Sequence, residues 1–347
     1  MGQKNIKKTW SGTTYHLYEA LSKCADVDRL DGNYNFFERI IGKIKNKLGF
    51  NKNFDIRLLL MRSNRLKKNN FKSDGSALIQ VGDLVKAKNS FIYQDLSVSS
   101  LVMLKKVMPQ AYLQSGFQDV NEIDLKRRMK FQNAIYADTH ILAMSHWLTK
   151  YINDDTPYQA TYVGGGMNQS FANRKKTQKR KRSLLFVGRD FNRKGGDIVL
   201  EAFKIIKNEY PDATITFVGG EINDHTDGVE YFGDLANDEV QELMERSEIF
   251  VMPSRFEAFG LVFLEAMANK MVIIGRDEFE MPWFVSQGSG LLIENSNKEN
   301  EIQQVADAIR TIFNNDEWLI KADNRSKKII EENSWSTVAA RIMAVIN

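Results

Sequence analysis

Two glutamates, Glu257 and Glu265, stand in a stretch suited to holding a phosphate and the sugar attached to it. The stretch reads Ser254-Arg255-Phe256-Glu257-Ala258-Phe259-Gly260-Leu261 and runs into Val262-Phe263-Leu264-Glu265-Ala266-Met267-Ala268. An apolar strand is expected just before it, at residues 249–252, and a helix over 260–269. A helix amino terminus offers unpaired N–H groups and a positive dipole end, so the amides of Phe259, Gly260 and Leu261 suit an anion. Gly260 has no side chain to block its approach. Glu265 lies five residues into the helix, roughly 7.5 Å along its axis at ~1.5 Å per residue. That is about the reach from a terminal phosphate back to a ribose, whose paired hydroxyls a carboxylate can accept. Glu257 falls on the other side of the helix start, where a sugar on that phosphate would lie. Taken singly, Glu257 is equally an exposed or helix-capping carboxylate, and Glu265 an ordinary surface residue of a helix.

A second loop has matching chemistry. Gly188-Arg189-Asp190-Phe191-Asn192-Arg193-Lys194-Gly195-Gly196 joins an apolar run at 183–187 to a helical pattern at 196–208. Arg189 can fork onto two phosphate oxygens, and Lys194 adds a mobile point charge. A diphosphate leaving water needs about that much neutralisation. The loop is neither a Walker loop nor a G-x-G-x-x-G fingerprint, and a solvated turn is its plain alternative.

These loops need a frame, and the second half of the chain supplies its pattern. Residues 213–218, 229–232, 249–252 and 271–274 read as strands, with a helix at 237–246 among them. Strands alternating with helices of about ten residues imply βαβ units and a parallel sheet, whose ligands sit at the carboxyl ends of the strands. The first half repeats this grammar more faintly. Helices are expected at 13–22, 125–137 and 146–152, and strands at 55–61, 76–81, 90–94 and 139–143. Residues 173–183 hold seven basic side chains and almost nothing apolar, as a linker would. The chain thus divides into an α/β unit at 1–170, a basic linker at 171–182, a second α/β unit at 183–332 and a closing helix at 333–347.

Composition narrows the classes. A length of 347 residues favours two cores over one. The single cysteine, Cys24, excludes a disulfide framework, no Cys/His cluster has metal-ligand spacing, and a lone thiol suits a reducing cytoplasm. The polar, basic start lacks a signal-peptide core, and no apolar run reaches membrane-spanning length. Met1-Gly2 opens like a myristoylation signal, but Ile6 stands where Ser or Thr is required. Residues 1–170 carry a balance of +10 and residues 171–347 one of −6, within a total of +4. The basic half suits an anionic surface or a lipid-linked phosphate. A nucleic-acid partner is not expected, since no binding motif for one appears.

From Leu184 to about Glu294 the sequence is similar to the donor domain of the family-4 retaining glycosyltransferases. The strand-Gly-Arg-x₄-Lys-Gly loop and the Glu-x₇-Glu element carry the resemblance, with Val229–Phe232 and Gly233 between them. The resemblance implies a GT-B architecture, two Rossmann-like parallel-sheet domains facing a cleft. It implies that Arg189 and Lys194 hold the diphosphate, Glu265 the ribose and Glu257 the donor sugar. Backbone near Gly220, Glu221, Tyr231 and Phe232 would frame the base. The expected reaction is metal-independent transfer of a hexose-type sugar, with retention, from a nucleotide diphosphate sugar. UDP is the expected nucleotide, no cofactor is needed, and the acceptor is a glycan, a lipid-linked acceptor or a protein. A GT-B epimerase or phosphorylase and a non-catalytic sugar-binding subunit are the other readings.

The first half resembles the family at fewer points. Trp10-Ser11-Gly12-Thr13-Thr14 resembles its amino-terminal glycine loop, which puts Gly12 near the donor phosphates, but the polar residues 1–9 offer no preceding strand. Either the natural chain starts earlier or the first sheet lacks a strand. Where the family often has a histidine, this chain has Gln94-Asp95, which makes Asp95 an acceptor-side candidate or an Asx-turn residue. Ser145-His146-Trp147 resembles the family's Ser-x-Trp element and reads as structural. The closing helix after Asn333-Ser334-Trp335-Ser336 resembles one that crosses back to the first domain. Residues 36–48 form a basic amphipathic pattern, with Phe36, Ile40, Ile44 and Leu48 recurring every four residues. The main expectation is that this stripe covers the first sheet. The other is peripheral contact with an anionic membrane from the cytoplasmic side.

Overall fold

The computed structural model describes residues 12–47, 54–70, 76–169, 171, 177–220, 224–286 and 289–347. Residues 1–11, Leu48, Glu221 and residues 172–176 of the basic linker lie outside that set, so the glycine loop is described only from Gly12. The chain divides into two compact units. One takes the chain up to Asn168 together with Trp335–Asn347, and the other is Gln169–Ser334.

The first unit begins with helices α1 (Thr13–Leu21), α2 (Phe36–Lys47) and α3 (Ile56–Asn70). Strands β1 (Leu78–Val81) and β2 (Ser90–Gln94) follow, then α4 (Val98–Val107), α5 (Pro109–Leu113) and α6 (Glu122–Tyr136). Strand β3 (Thr139–Ala143), α7 (His146–Asp155) and β4 (Ala160–Tyr162) complete a four-stranded parallel sheet of order β1-β2-β3-β4. Ile92, Ile135, Ile141, Leu148 and Ile152 are buried together between this sheet and the helices α6 and α7.

Two expectations for this unit are overturned. Residues 55–61 are not a strand but the start of α3. The Asp55 carboxylate accepts from the amides of Arg57 and Leu58, at 3.0 and 3.1 Å, and so caps a helix. Leu58, Leu59, Ser63 and Leu66 are then buried at helical spacing. Nor does α2 cover the sheet with its apolar stripe. Phe36, Phe37, Ile40 and Ile44 are 67%, 71%, 41% and 54% exposed, while Glu38 and Gly42 face inward. The cause is polar. Asn35 and Glu38 cap each other's amides, and Glu38 pairs with Arg65 of α3 at 3.2 Å, so the carboxylate turns that face of α2 toward α3.

The second unit is wound around β5 (Ser183–Val187), followed by α8 (Gly196–Glu209), β6 (Thr214–Val218), β7 (Val229–Phe232) and α9 (Asn237–Arg246). Then come β8 (Ile249–Val251), α10 (Leu261–Ala268), β9 (Val272–Arg276), α11 (Met281–Val285), β10 (Gly290–Ile293), α12 (Lys298–Phe313) and α13 (Glu317–Glu332). The sheet is parallel, of order β10-β9-β8-β5-β6-β7. The strands β5, β8 and β9 are buried nearly throughout, as cover on both faces requires, whereas β7 at the edge alternates half-buried Val229 and Tyr231 with exposed Glu230 and Phe232. From Thr177 on, the basic segment is tied to this unit. Lys179 donates to the carbonyl of Met244 at 3.3 Å and Arg180 N–H to that of Arg246 at 2.7 Å. Helix α14 (Trp335–Ile346) returns to the first unit and packs on α1. Trp335 lies over Gly166, where a Cβ would meet its ring at 2.3 Å.

A buried ion pair organises the first unit. The Arg128 guanidinium makes a two-pronged contact with the Asp83 carboxylate, and Gln132 adds a bond at 3.2 Å. Both charges are about nine-tenths buried, so removing one strands the other. Arg128→Ala should lower stability by about 3–5 kcal/mol, read as a shifted urea unfolding transition.

Candidate active site

The order of the second sheet locates its ligand edge. Counted from β7, the strands run third, second, first, fourth, fifth, sixth, so the winding reverses between β5 and β8. In sheets wound this way, the loops leaving the two strands at the reversal are where a ligand is expected, at the carboxyl edge. They are the loops of Arg189–Lys194 and of Glu257, which the sequence singles out.

The loops are packed on each other closely. Gly195 is left-handed at φ 79°, and a Cβ on it would meet the Pro253 carbonyl oxygen at 2.6 Å. Arg255 N–H donates to the Arg193 carbonyl at 2.8 Å, and Arg193 Nη1 to the Phe256 carbonyl at 3.0 Å. Arg255 also grips Asp197 in α8 with two bonds, at 2.7 and 3.0 Å. Burial pushes the Asp197 carboxyl up, but Arg255 and Lys298 outweigh it and hold the group below its usual range. Beneath the loop, the buried Arg276 donates to the carbonyls of Ser254 and Pro253, at 3.2 and 3.3 Å.

This frame brings Lys194 and Glu257 into direct contact as an ion pair, with side chains 14% and 16% exposed. The Lys194 stem crosses Gly188, where a Cβ would meet its Cγ at 2.8 Å. Glu257 Cγ is 3.2 Å from the Cβ position of Gly260, which is left-handed at φ 92° and caps α10. Helix α10 therefore points its amino terminus at the Glu257 turn, as expected, starting one residue later than 260. Phe259 itself is buried edge-on against Phe284, so only its backbone can serve a ligand.

Glu265 behaves differently from Glu257. Among the described residues no cation or side-chain donor meets its carboxylate. Burial alone pushes its pKa up to about 7, although part of the side chain still reaches water. Arg189 points outward, 82% exposed, and pairs with Asp234 at 2.8 Å. An exposed pair of this kind is worth ~0–1 kcal/mol, so Arg189 can leave it for a phosphate at little cost.

The end of β6 completes the edge. Gly219 and Gly220 have φ 84° and 128°, and a Cβ on Gly219 would meet Arg189 N at 3.1 Å. On β7, Tyr231 stacks on Phe217 at 5.3 Å, and burial raises its phenol to about 12. Phe232 beside it is 40% exposed.

Gly12 and Asp95 belong to the first unit. Gly12 caps α1 at φ 90°, and Asp95 follows β2, where it adds to burial in raising the Tyr93 phenol. Ser145 caps α7 through the amide of Leu148 at 3.3 Å, and His146 stacks on Tyr162 at 3.6 Å. Among the described residues no three His, Cys, Asp or Glu side chains gather as a metal ion would require.

Sequence reasoning missed the residues that hold the site. Arg255 gives no local sign of its role, because its partner Asp197 lies 58 residues away, and Arg276 ends an otherwise apolar strand, which is the available signal. Phe279 adopts φ 56°, a region uncommon outside glycine, and meets Phe256 edge-on at 5.1 Å beside Glu257. No local pattern announces it. The glycine contacts give a paired test. Gly195→Ala should lower stability by about 1–3 kcal/mol, through left-handed strain and the clash with Pro253. Gly233→Ala, with nothing within 4 Å, should change thermal unfolding little.

Comparison with known proteins bears on the fold and on the second unit. Residues 168–335 match the family model for glycosyl transferases group 1. An uncharacterized glycosyltransferase of Methanocaldococcus jannaschii is 22% identical over 339 residues, 93% of this chain and 91% of that one. An uncharacterized 41.2 kDa protein in the cps region of Klebsiella pneumoniae is 28% identical over 141 residues, and the match spans only 39% of each. Among solved structures, WaaG, a glycosyltransferase involved in lipopolysaccharide biosynthesis, superposes with a TM-score of 0.65 at 12% identity, over 96% of this chain and 95% of that one. The match over residues 168–335 takes in the whole second unit, Gln169–Ser334, and it is this unit that is similar to the glycosyl transferases group 1.

Proposed function

We propose that the protein transfers a hexose-type sugar, with retention and without a metal ion, from a nucleotide diphosphate sugar to a glycan, lipid-linked or protein acceptor. The observation that carries the reading is the meeting of Lys194, Glu257 and the α10 amino terminus at the winding reversal of the sheet. In this reading Arg189, Lys194 and the amides of Phe259, Gly260 and Leu261 take the diphosphate, and Glu257 takes hydroxyls of the sugar. Glu265 accepts the ribose hydroxyls, and the base lies toward Gly220, Tyr231 and Phe232. The sugar–phosphate bond breaks as the acceptor oxygen bonds to the sugar, and the departing phosphate takes the acceptor's proton. The cations and amides stabilise the charge that develops on that phosphate. UDP is the nucleotide to test first, on its frequency among the family-4 enzymes that the sequence resembles. The role of WaaG in lipopolysaccharide biosynthesis favours a glycan or lipid-linked acceptor.

A thermal-shift panel of nucleotide sugars tests the assignment. One of them should stabilise the protein, and Arg189→Ala with Lys194→Ala should remove the shift. No stabilisation by any would sink the reading. Glu265 adds a pH signature. Its folded-state pKa lies above its usual value, so its contribution to folding is present below about pH 4.5 and fades as pH rises through about 7. Ribose hydroxyls donate to the ionised form, so donor affinity runs the opposite way. It should be roughly tenfold weaker at pH 6 than at pH 8, and flat in Glu265→Gln. A nucleotide sugar is the right probe, because its diphosphate lacks the terminal ionisation near pH 6.

We also propose that α2 touches an anionic membrane surface. The outward stripe of Phe36, Phe37, Ile40 and Ile44, with exposed Lys43 and Lys47 beside it, supports this contact. Among the described residues no helix is long and apolar enough to cross a membrane. Vesicles containing anionic lipid should sediment the protein at low salt, and Phe36→Ser with Phe37→Ser should abolish it. A supernatant unchanged by such vesicles would refute the contact.

A further inference from the structure

The two cations assigned to the diphosphate stand in opposite circumstances. Arg189 is 82% exposed and shares an exposed contact with Asp234. Lys194 is sequestered, laid across Gly188 and closed onto Glu257 from the other loop, whose stem is fixed against Gly260. Drawing Lys194 onto a phosphate therefore takes the cation from a carboxylate that has little access to water. A partly buried charge deprived of its partner is costly, unless something else donates to it.

We infer that the Lys194–Glu257 pair is a selectivity latch that favours the intact nucleotide sugar over the bare nucleoside diphosphate. This rests on the donor-site reading above and adds to it a thermodynamic role for the pair. A nucleotide sugar replaces what it takes, since its phosphate receives Lys194 while its sugar hydroxyls donate to Glu257. A nucleoside diphosphate receives Lys194 and leaves Glu257 uncompensated. Once the sugar has moved to the acceptor, the remaining nucleotide stands in that second condition, and reclosure of the pair helps expel it. Glu257 thus acts at two moments, first holding the sugar and then recalling Lys194 from the product.

The latch makes an uncommon demand, that removing a binding residue should tighten one ligand. In Glu257→Gln, Lys194 is released from the carboxylate, and titration calorimetry with UDP should give a dissociation constant roughly tenfold lower than that of the parent protein. UDP-glucose should gain nothing or bind more weakly, because the sugar loses its acceptor. Glu257→Ala should move UDP binding in the same direction, and adding Lys194→Ala should erase the gain. GDP with GDP-mannose is the parallel pair if the parent protein prefers guanosine. Equal or weaker nucleoside diphosphate binding in both Glu257 variants, with the parent binding normally, overturns the latch alone. A parent protein that binds neither nucleotides nor nucleotide sugars overturns the donor site together with it.

Discussion

Arg276 is the constraint on which the edge that carries Glu257 depends. Its guanidinium is 1% exposed at the end of β9, a position where an unpaired charge would cost several kcal/mol. It is satisfied on every side. Glu301 of α12 takes two bonds, Asn295 a third at 3.2 Å, and the carbonyls of Ser254 and Pro253 the rest. Two of those partners are the first residues of the turn that carries Glu257. The pair with Glu301 thus fixes that turn from below, and Arg255 with Asp197 fixes it from the side. Glu257 inherits its position from charges that lie behind and beside its turn. Satisfied buried networks of this kind hold a loop more narrowly than apolar packing would.

The first unit shows charge and hydrophobicity contending for one helix. Burial of Phe36, Phe37, Ile40 and Ile44 would remove much apolar surface from water, yet α2 faces the other way. Glu38, bound to Arg65 and to the Asn35 amide, would have to break three contacts for the helix to roll over. Gly42 allows the inward face to approach without a side chain. The exposed stripe is consequently a built feature of the surface, held outward by the ion pair on the opposite face of the helix.

Legibility differed sharply between the units. In the second, residues 183–187, 229–232 and 237–246 are the elements expected there: β5 is an unbroken apolar run closed by Gly188, β7 is a short run closed by Gly233, and α9 is followed directly by the buried strand β8. The reading of 55–61 as a strand failed because Leu58-Leu59-Leu60-Met61 is apolar in either conformation. The capping Asp55 and the buried Leu66 one turn and a half further on decide for the helix. Strands β4 and β10 and helices α4, α5, α11, α12 and α13 were not anticipated, since their apolar positions are short or diluted by charge. The spacing of Glu257 and Glu265 was visible as a pattern. Their different electrostatics were not, for the partner of Glu257 lies 63 residues away and Glu265 is defined by burial. Arg255 and Asp197, 58 residues apart, were illegible for the same reason.

The return of α14 to the first unit has a consequence for biosynthesis. Trp335 covers Gly166 and bonds Asn168 at 3.0 Å, and Arg341 donates to the Val163 carbonyl at 3.3 Å, so this helix is an integral wall of the unit. Domains form as units while the chain emerges from the ribosome. The segment Gln169–Ser334 is contiguous and is whole before α14 has been translated. The unit that is synthesised first must therefore wait, with the flank of α1 uncovered, until the unit synthesised second is complete. Order of translation and order of completion are reversed in this chain, and a nascent chain stalled before Trp335 would present a finished second unit and an unsealed first one.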